Sequence, residues 1–270
     1  MVNKHRKLFP YYAGRIVINN NVKPYVFNIY LTKEAQHTPG ILEKIAEIFS
    51  RNNISILQLK TSVFIDKPAR IIVFADMNGK EDIIDEIKDK IMRTLHVENI
   101  DTAGPLYNGI AIDMWSFPVI VGGKRGVIMR EHFYRGYFTM GWERLGETFG
   151  TLLFMMGVSA GLESYKEHAR AVPKTYQLDL SAEVFRLLGY GVLEWSFLMS
   201  KSARAIVYDG FECSLFRGSG RNKPMGFFTR GMLVGWLSGF WGVDYSRISS
   251  RETKCIAKGD EYCEFEFKIR

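Results

Sequence analysis

Three cysteines in 270 residues are too few for a disulfide framework, which fits a reducing compartment and the expectation of a cytoplasmic protein. Long apolar runs are lacking too. The longest, Phe149 to Leu162, is interrupted by glycines and too short to cross a bilayer, so no membrane span is expected. Lys4, Arg6 and Lys7 near the start are followed by no apolar segment, which excludes a secretory signal. His96, His132 and His168 have no partner at metal-ligand spacing. There is no dinucleotide fingerprint, no Ser-His-Asp set and no paired-carboxylate arrangement, so no catalytic residue is assigned. Gly122-Gly123-Lys124-Arg125-Gly126 lacks the P-loop spacing and the Ser or Thr after the Lys, and reads as a hairpin turn between Phe117–Val121 and Val127–Met129.

What is present is an ordinary globular composition, 47% hydrophobic and 24% charged, in a chain long enough for two domains. The net charge of +7 suits a polyanionic partner, but no basic run exceeds a few residues. The candidate nucleic-acid contacts, Lys4 to Lys7 and Arg217 to Lys223, read more simply as solvated loops.

Residues 1–23 form a basic, aromatic lead-in (Phe9, Tyr11, Tyr12) ending in the Asn19-Asn20-Asn21 turn signal. Residues 24–102 alternate between the two periods: a strand over Tyr25–Leu31; a helix opened by Pro39-Gly40 with Ile41, Leu42, Ile45, Ile48 and Phe49 on one face; strands over Ile54–Val63 and Ala69–Asp76 around an Asp66-Lys67-Pro68 turn; a helix over Lys80–Leu95; and a strand over Val97–Ile100. The order βαββαβ implies a ferredoxin-like layer of helices on an antiparallel sheet. Residues 103–114, with Ala103-Gly104-Pro105, read as a linker.

Residues 115–270 read as an α+β domain. Helical pattern runs from Arg130 to Ala171 with a break expected between Gly136 and Gly141, then over Leu178–Leu188 and Met225–Trp241. Val192–Met199, Ala203–Asp209 and Phe211–Phe216 read as short strands. Gly157 and Gly161, then Gly231, Gly235 and Gly239, stand four apart on helical faces. Glycine inside a helix costs up to about 1 kcal/mol against alanine, so its repeated use needs a reason. Either helices pack backbone to backbone, or the missing side chains leave a pocket against Phe149, Phe154, Met155, Met156, Trp236, Phe240 and Trp241. Arg230, opening the last helix, is a candidate for a ligand carboxylate.

The most specific stretch is Arg251 to Phe267, a hairpin turning at Gly259-Asp260 that sets Cys255 opposite Cys263. Opposed cysteines can share a metal, form a disulfide or simply pack. In a regular ladder Thr253, Cys255, Cys263 and Phe265 share one face while Glu252, Lys254, Glu264 and Glu266 share the other, so Glu252 joins the cysteines only if a bulge intervenes at Thr253 or Lys254.

Two resemblances attach to these patterns. The βαββαβ order with Pro39-Gly40-Ile41-Leu42 resembles the ACT domain over about residues 24–102. That is a regulatory module that often binds amino acids at dimer interfaces. In the family an Asp or Asn commonly stands two residues before the Pro; here it is His37, so the resemblance implies a structural or dimerising role. Arg230-Gly231-Met232-Leu233-Val234-Gly235, followed by Glu252-Thr253-Lys254-Cys255-Ile256-Ala257-Lys258-Gly259-Asp260 and Cys263-Glu264-Phe265, resembles the 4-vinyl reductase domain over roughly residues 115–270. That family includes hydrocarbon-binding proteins and the sensor domains of aromatic-responsive activators. The resemblance implies a homodimeric regulator holding a hydrophobic molecule (an acyl chain, an aromatic or an isoprenoid) rather than an enzyme. The competing implications are a reductase acting on a vinyl or polyene substrate and a DNA-associated transcriptional regulator. In the aromatic-responsive sensors a Glu-x-x-Cys-x7-Cys spacing supplies three zinc ligands, and Glu252, Cys255 and Cys263 match it. The sensors' fourth ligand is a cysteine near the start of the preceding helix, where this chain has Gly226, Phe227, Phe228 and Thr229, with Cys213 expected on an earlier strand.

Overall fold

The computed structural model describes residues 8–64 and 67–270, in two compact units, 8–127 and 128–270. Lys4 to Lys7 and Asp66 of the Asp66-Lys67-Pro68 turn lie outside the described residues.

In the first unit, β1 (Ile16–Ile18), β2 (Pro24–Leu31), α1 (Ile41–Arg51), β3 (Ile56–Ser62), β4 (Ala69–Asp76), α2 (Ile84–Met92), β5 (Val97–Ala103) and β6 (Ile110–Ile112) follow in order. The main sheet is antiparallel with strand order β3-β4-β2-β5. Alternation along β2 sends Phe27, Ile29 and Leu31 into one core with Ile41, Ile45 and Phe49 of α1 and Ile87 and Ile91 of α2. Leu42, expected on that helical face, is exposed, because the residues spaced by four take the inward line. Val26, Ile72 and Phe74 form a second core with Val17 and Ala111 of the paired strands β1 and β6. The expected lead-in and linker therefore each contribute a strand. Three-residue strands whose partners lie far along the chain leave no local signature. A hairpin of β7 (Val119–Val121) and β8 (Lys124–Gly126) completes this unit, not the C-terminal one expected from residue 115. Its turn is Gly122-Gly123 alone, with φ of 56° and 78°, the positive values that a two-residue hairpin turn requires.

The second unit contains α3 (Glu131–Leu145), α4 (Glu147–Ala171), α5 (Gln177–Leu187), β9 (Val192–Leu198), β10 (Ser202–Tyr208), α6 (Phe211–Ser214), α7 (Phe227–Trp241), β11 (Ile248–Lys254) and β12 (Cys263–Ile269). The helical break falls at Gly146 (φ 55°, ψ −133°) rather than between Gly136 and Gly141. Helix α3 runs through Gly141 because a Cβ there would stand 2.3 Å from the Phe149 ring, so this glycine serves packing and not a bend. Phe211–Phe216 does not form the expected strand. A strand would send Glu212 and Cys213 to opposite faces, whereas the helical turn α6 buries both.

Strands β11-β12-β10-β9 form an antiparallel sheet whose inward residues, among them Leu193, Ala205, Val207, Phe265 and Phe267, share one core with Leu153, Phe185, Leu233 and Leu237 of the helices. The glycine stripes resolve as close packing. A Cβ on Gly157 would lie 2.2 Å from the Phe228 carbonyl oxygen, on Gly161 1.9 Å from that of Met232, on Gly231 2.1 Å from that of Phe154, and on Gly235 2.0 Å from that of Val158. Helices α4 and α7 thus meet backbone to backbone, each accepting the other's carbonyls where side chains are missing. Among the described residues no helix is long and apolar enough to cross a membrane.

Candidate metal centre and apolar cavity

The hairpin of β11 and β12 contains the bulge on which the cysteine geometry depends. Glu252 pairs with Phe265 and Lys254 with Glu264, leaving Thr253 as the extra residue. Thr253 Oγ1 donates to the Glu264 carboxylate at 2.7 Å, which occupies the bulged side chain on the outer face. Lys254, facing Glu264 across the ladder, donates instead to Tyr262 Oη at 2.7 Å. The added residue reverses the alternation, so Glu252 turns inward with Cys255, Cys263 and Phe265, all buried.

Cys213 arrives at this point from α6. One ligand atom from each of Cys213, Glu252, Cys255 and Cys263 lies within 4.8 Å of the others. Cys213 Sγ and Cys255 Sγ are 3.7 Å apart, close to the edge of about 3.8 Å that follows for a tetrahedron with zinc–sulfur bonds of ~2.3 Å. Backbone N–H groups aim the donors: Met225 donates to Cys255 Sγ at 3.4 Å, Ile256 to Cys263 Sγ at 3.4 Å and Gly226 to Glu252 Oε2 at 2.9 Å. A Cβ on Gly226 would press on both Glu252 oxygens at 3.0 Å. The helix start that lacks a cysteine therefore carries the glycine that seats the carboxylate.

Electrostatically the cluster is an anionic site lacking a counter-charge in its centre. Burial pushes the Glu252 carboxyl up to about 9. The Cys213 thiol is also pushed up, by its hydrogen bonds to Cys255 and Cys263 and by burial, while those two thiols hold Cys255 low. A divalent cation would replace the protons shared among these groups. Next to them Glu212, wholly buried and raised to about 7 chiefly by burial, accepts from Phe228 N at 2.8 Å and from Thr229 N and Oγ1 at 2.9 Å each. The first N–H groups of α7 are thus tied to the same acidic corner. Arg230 sits between the Phe154 and Phe227 rings, 5.3 and 4.9 Å from their centroids, within the electrostatic reach of Glu252 and Glu212.

Further along α7 a cavity of about 40 Å³ opens between α4, α5, α7 and β9, lined by His168, Phe185, Tyr190, Leu193, Trp195, Met232 and Trp236 among others. Its wall is nearly all apolar, and its polar groups are organised by two indoles: Trp236 Nε1 donates to His168 Nδ1 at 3.1 Å and Trp195 Nε1 to Ser181 Oγ at 3.0 Å. Trp195 and Trp236 lie 5.4 Å apart, and Phe240 stacks on Trp236 at 5.2 Å. The bond from Trp236 requires a neutral Nδ1, which places the imidazole proton on Nε2. Burial lowers the His168 pKa below its ordinary 6.5. The native state therefore resists protonation that the unfolded chain accepts. His168 contributes stability that is whole above pH 6.5 and is lost as pH falls through its depressed folded value. Thermal unfolding from pH 8 to pH 5 is expected to show that loss, and His168→Phe is expected to flatten it.

Of the expected ligand residues, Trp236 lines the cavity and Phe240 backs it. Phe149 instead belongs to an aromatic cluster with Tyr137, Phe138 and Trp142, Phe154 underlies Arg230, and Trp241 Nε1 donates to the Met199 carbonyl at 3.0 Å. Met155 and Met156 are exposed. Cys213, Glu212, His168, Ser181, Tyr190 and Trp195 enter as site residues only through the structure, since none carries a local spacing signal. An odd third cysteine is the nearest thing to one.

The 4-vinyl reductase domain family matches residues 206–269. No curated protein matches the chain. Among solved structures, the phenol-responsive sensory domain of the transcription activator PoxR, determined with phenol, is similar at a TM-score of 0.52 and 16% identity, over 59% of this chain and 84% of that one. A vinyl-4-reductase family protein from Methanocaldococcus jannaschii matches at 0.39 and 17%, over 54% and 84%. A trafficking protein particle complex subunit 3 from Naegleria fowleri, covalently bound to palmitic acid, matches at 0.36 and 11%, over 52% and 95%. The segment from β10 to the end of β12, which supplies all four donors of the cluster, is thus the part of this chain that matches the 4-vinyl reductase domain.

Proposed function

We propose that this protein is a homodimeric sensor that holds a small aromatic molecule in the cavity of its C-terminal unit, with a zinc ion in the cluster of Cys213, Glu252, Cys255 and Cys263. The observation that carries the reading is the cavity itself. It is lined by two tilted indoles and a phenylalanine, and it has one imidazole and one hydroxyl at its edge, the composition of a site for a flat apolar molecule with a single polar substituent. Its volume is a few times the roughly 10–15 Å³ that one water-sized occupant needs, which favours a small ring over an acyl chain or an isoprenoid. Similarity to a phenol-responsive sensory domain supports the same class of ligand.

The zinc ion's contribution when bound is a cross-link between α6, the α7 start and the hairpin. Through Met225 N, Gly226 N and the Glu212 cap, this corner fixes the first turn of α7, the helix that carries Met232 and Trp236 into the cavity. Ligand and metal then meet on one rigid element, and the ACT-like N-terminal unit passes its state to a partner. Titration with phenol, followed by tryptophan fluorescence and by melting temperature, tests the ligand. Saturation at 100 times Kd is expected to add about 2.7 kcal/mol, and Trp236→Ala is expected to abolish the response. Absence of any shift with phenol and simple substituted phenols would overturn the aromatic reading, and a shift with palmitate alone would replace it with an acyl one.

A further inference from the structure

The helical glycines of the second unit are not all alike. Gly141, Gly150, Gly157, Gly161, Gly231, Gly235 and Gly239 each have a neighbour that a Cβ would strike at 2.9 Å or less. Gly136, in the middle of α3, has no atom within 4 Å of where its Cβ would be. It forfeits helix propensity with no return inside the chain. It also stands in an exposed apolar line: Phe133, Tyr137 and Met140 are 64%, 54% and 51% exposed, at the i, i+3, i+4, i+7 spacing of one helical face.

We infer that this face of α3 is a two-fold interface with the α3 of a second copy, antiparallel and crossing at Gly136-Tyr137. In such an isologous contact each residue meets its counterpart reciprocally. With the axis between positions 136 and 137, Tyr137 lies over the partner's Gly136, which explains the missing side chain. Phe133 lies against the partner's Met140, a favourable sulfur–aromatic pair. At the two ends Arg130 meets the partner's Glu143, and among the described residues both are exposed and in no ion pair. Charge complementarity of this kind belongs to the antiparallel arrangement, since a parallel one sets Arg130 against Arg130 and Glu143 against Glu143. Tyr137 also rests on Phe149 of α4, 6.0 Å between centroids, and exposed Leu152 and Met156 carry the apolar surface on along that helix. The inference rests on the proposed dimeric state but on neither ligand nor metal.

Sedimentation velocity of the full chain is the test. The wild type is expected to be a dimer of 31.0 kDa chains, Tyr137→Glu a folded monomer by circular dichroism, and Gly136→Ala a dimer at least tenfold weaker although its monomer melts no lower. Arg130→Glu is expected to weaken association and the double variant Arg130→Glu/Glu143→Arg to restore it. A wild type that stays monomeric at all concentrations, a dimer indifferent to Tyr137→Glu and Gly136→Ala, or a charge swap without rescue would each overturn the assignment. So would equal loss in Leu187→Glu, which alters an exposed leucine on α5. Loss of phenol binding in a dimer that responds as expected would fault the ligand reading alone.

Discussion

Replacing Cys255 with serine is expected to strip the purified protein of zinc and to lower its melting temperature by about 10 °C or more. Wild-type chain from zinc-supplemented growth should carry one ion per chain by elemental analysis. The magnitude follows from the role of the ion. Structural zinc contributes on the order of 10 kcal/mol of apparent binding free energy at neutral pH, and losing even a third of that corresponds to about 10 °C in a unit of this size. Three elements converge on the ion, α6 through Cys213, β11 through Glu252, and the hairpin end through Cys255 and Cys263, and without it an anionic cluster remains buried. Binding should also release more than one proton per ion, because Glu252, raised to about 9 by burial, is protonated at neutral pH in the free cluster. Calorimetry in buffers of different ionisation enthalpy measures that release. Buried thiols alone would give a protein indifferent to chelators, with Cys255→Ser costing only a packing defect. A Cys213–Cys255 disulfide would make stability depend on reductant. Either outcome would remove zinc from the account.

Gly161→Ala is expected to cost about 3 kcal/mol or more, at the top of the usual range for overpacking a core. The new methyl group would stand 1.9 Å from the Met232 carbonyl oxygen and 2.9 Å from Trp236 N. Both obstacles are backbone on the facing helix, so no side-chain rotation relieves them, and α4 and α7 must part along their length. Gly235→Ala meets the Val158 carbonyl oxygen at 2.0 Å and should behave alike. Urea denaturation of each variant gives the cost directly. Gly189→Ala does not serve as the matched control, because Gly189 holds a φ of 77°; Gly136→Ala does, with its open surroundings in the monomer. A loss below about 1 kcal/mol at Gly161, no more than the propensity difference between the two residues, would mean that the helices are not in backbone contact.

Much of the fold is legible in the residues. Local periodicity names most of the helices and strands to within a few positions, because burial on one face writes a period of two or 3.6 into the chain. The hairpin at the C-terminus and the need for a bulge at Thr253 or Lys254 are equally local: strand parity alone says that Glu252 and Cys255 cannot share a face without an extra residue. The pattern misleads where the decisive contact is remote in sequence. The strands Ile16–Ile18 and Ile110–Ile112 are too short to declare themselves apart. Phe211–Ser214 takes a helical turn because both Glu212 and Cys213 have buried partners, at Thr229 and Cys255, that no pattern around residue 212 reveals.

By itself, then, the sequence determined the element types, the candidate donors Glu252, Cys255 and Cys263, and the choice that the glycine stripes had to resolve. Tertiary structure alone decided that choice, bringing two backbones within a methyl group's reach and moving the cavity to the far side of α7 beside His168, Trp195 and Trp236. It also brought Cys213 to the cluster as the fourth donor. The physical reason is the same in each case: periodicity records which way a residue faces, while a ligand set or a helix–helix contact depends on which distant segment stands opposite.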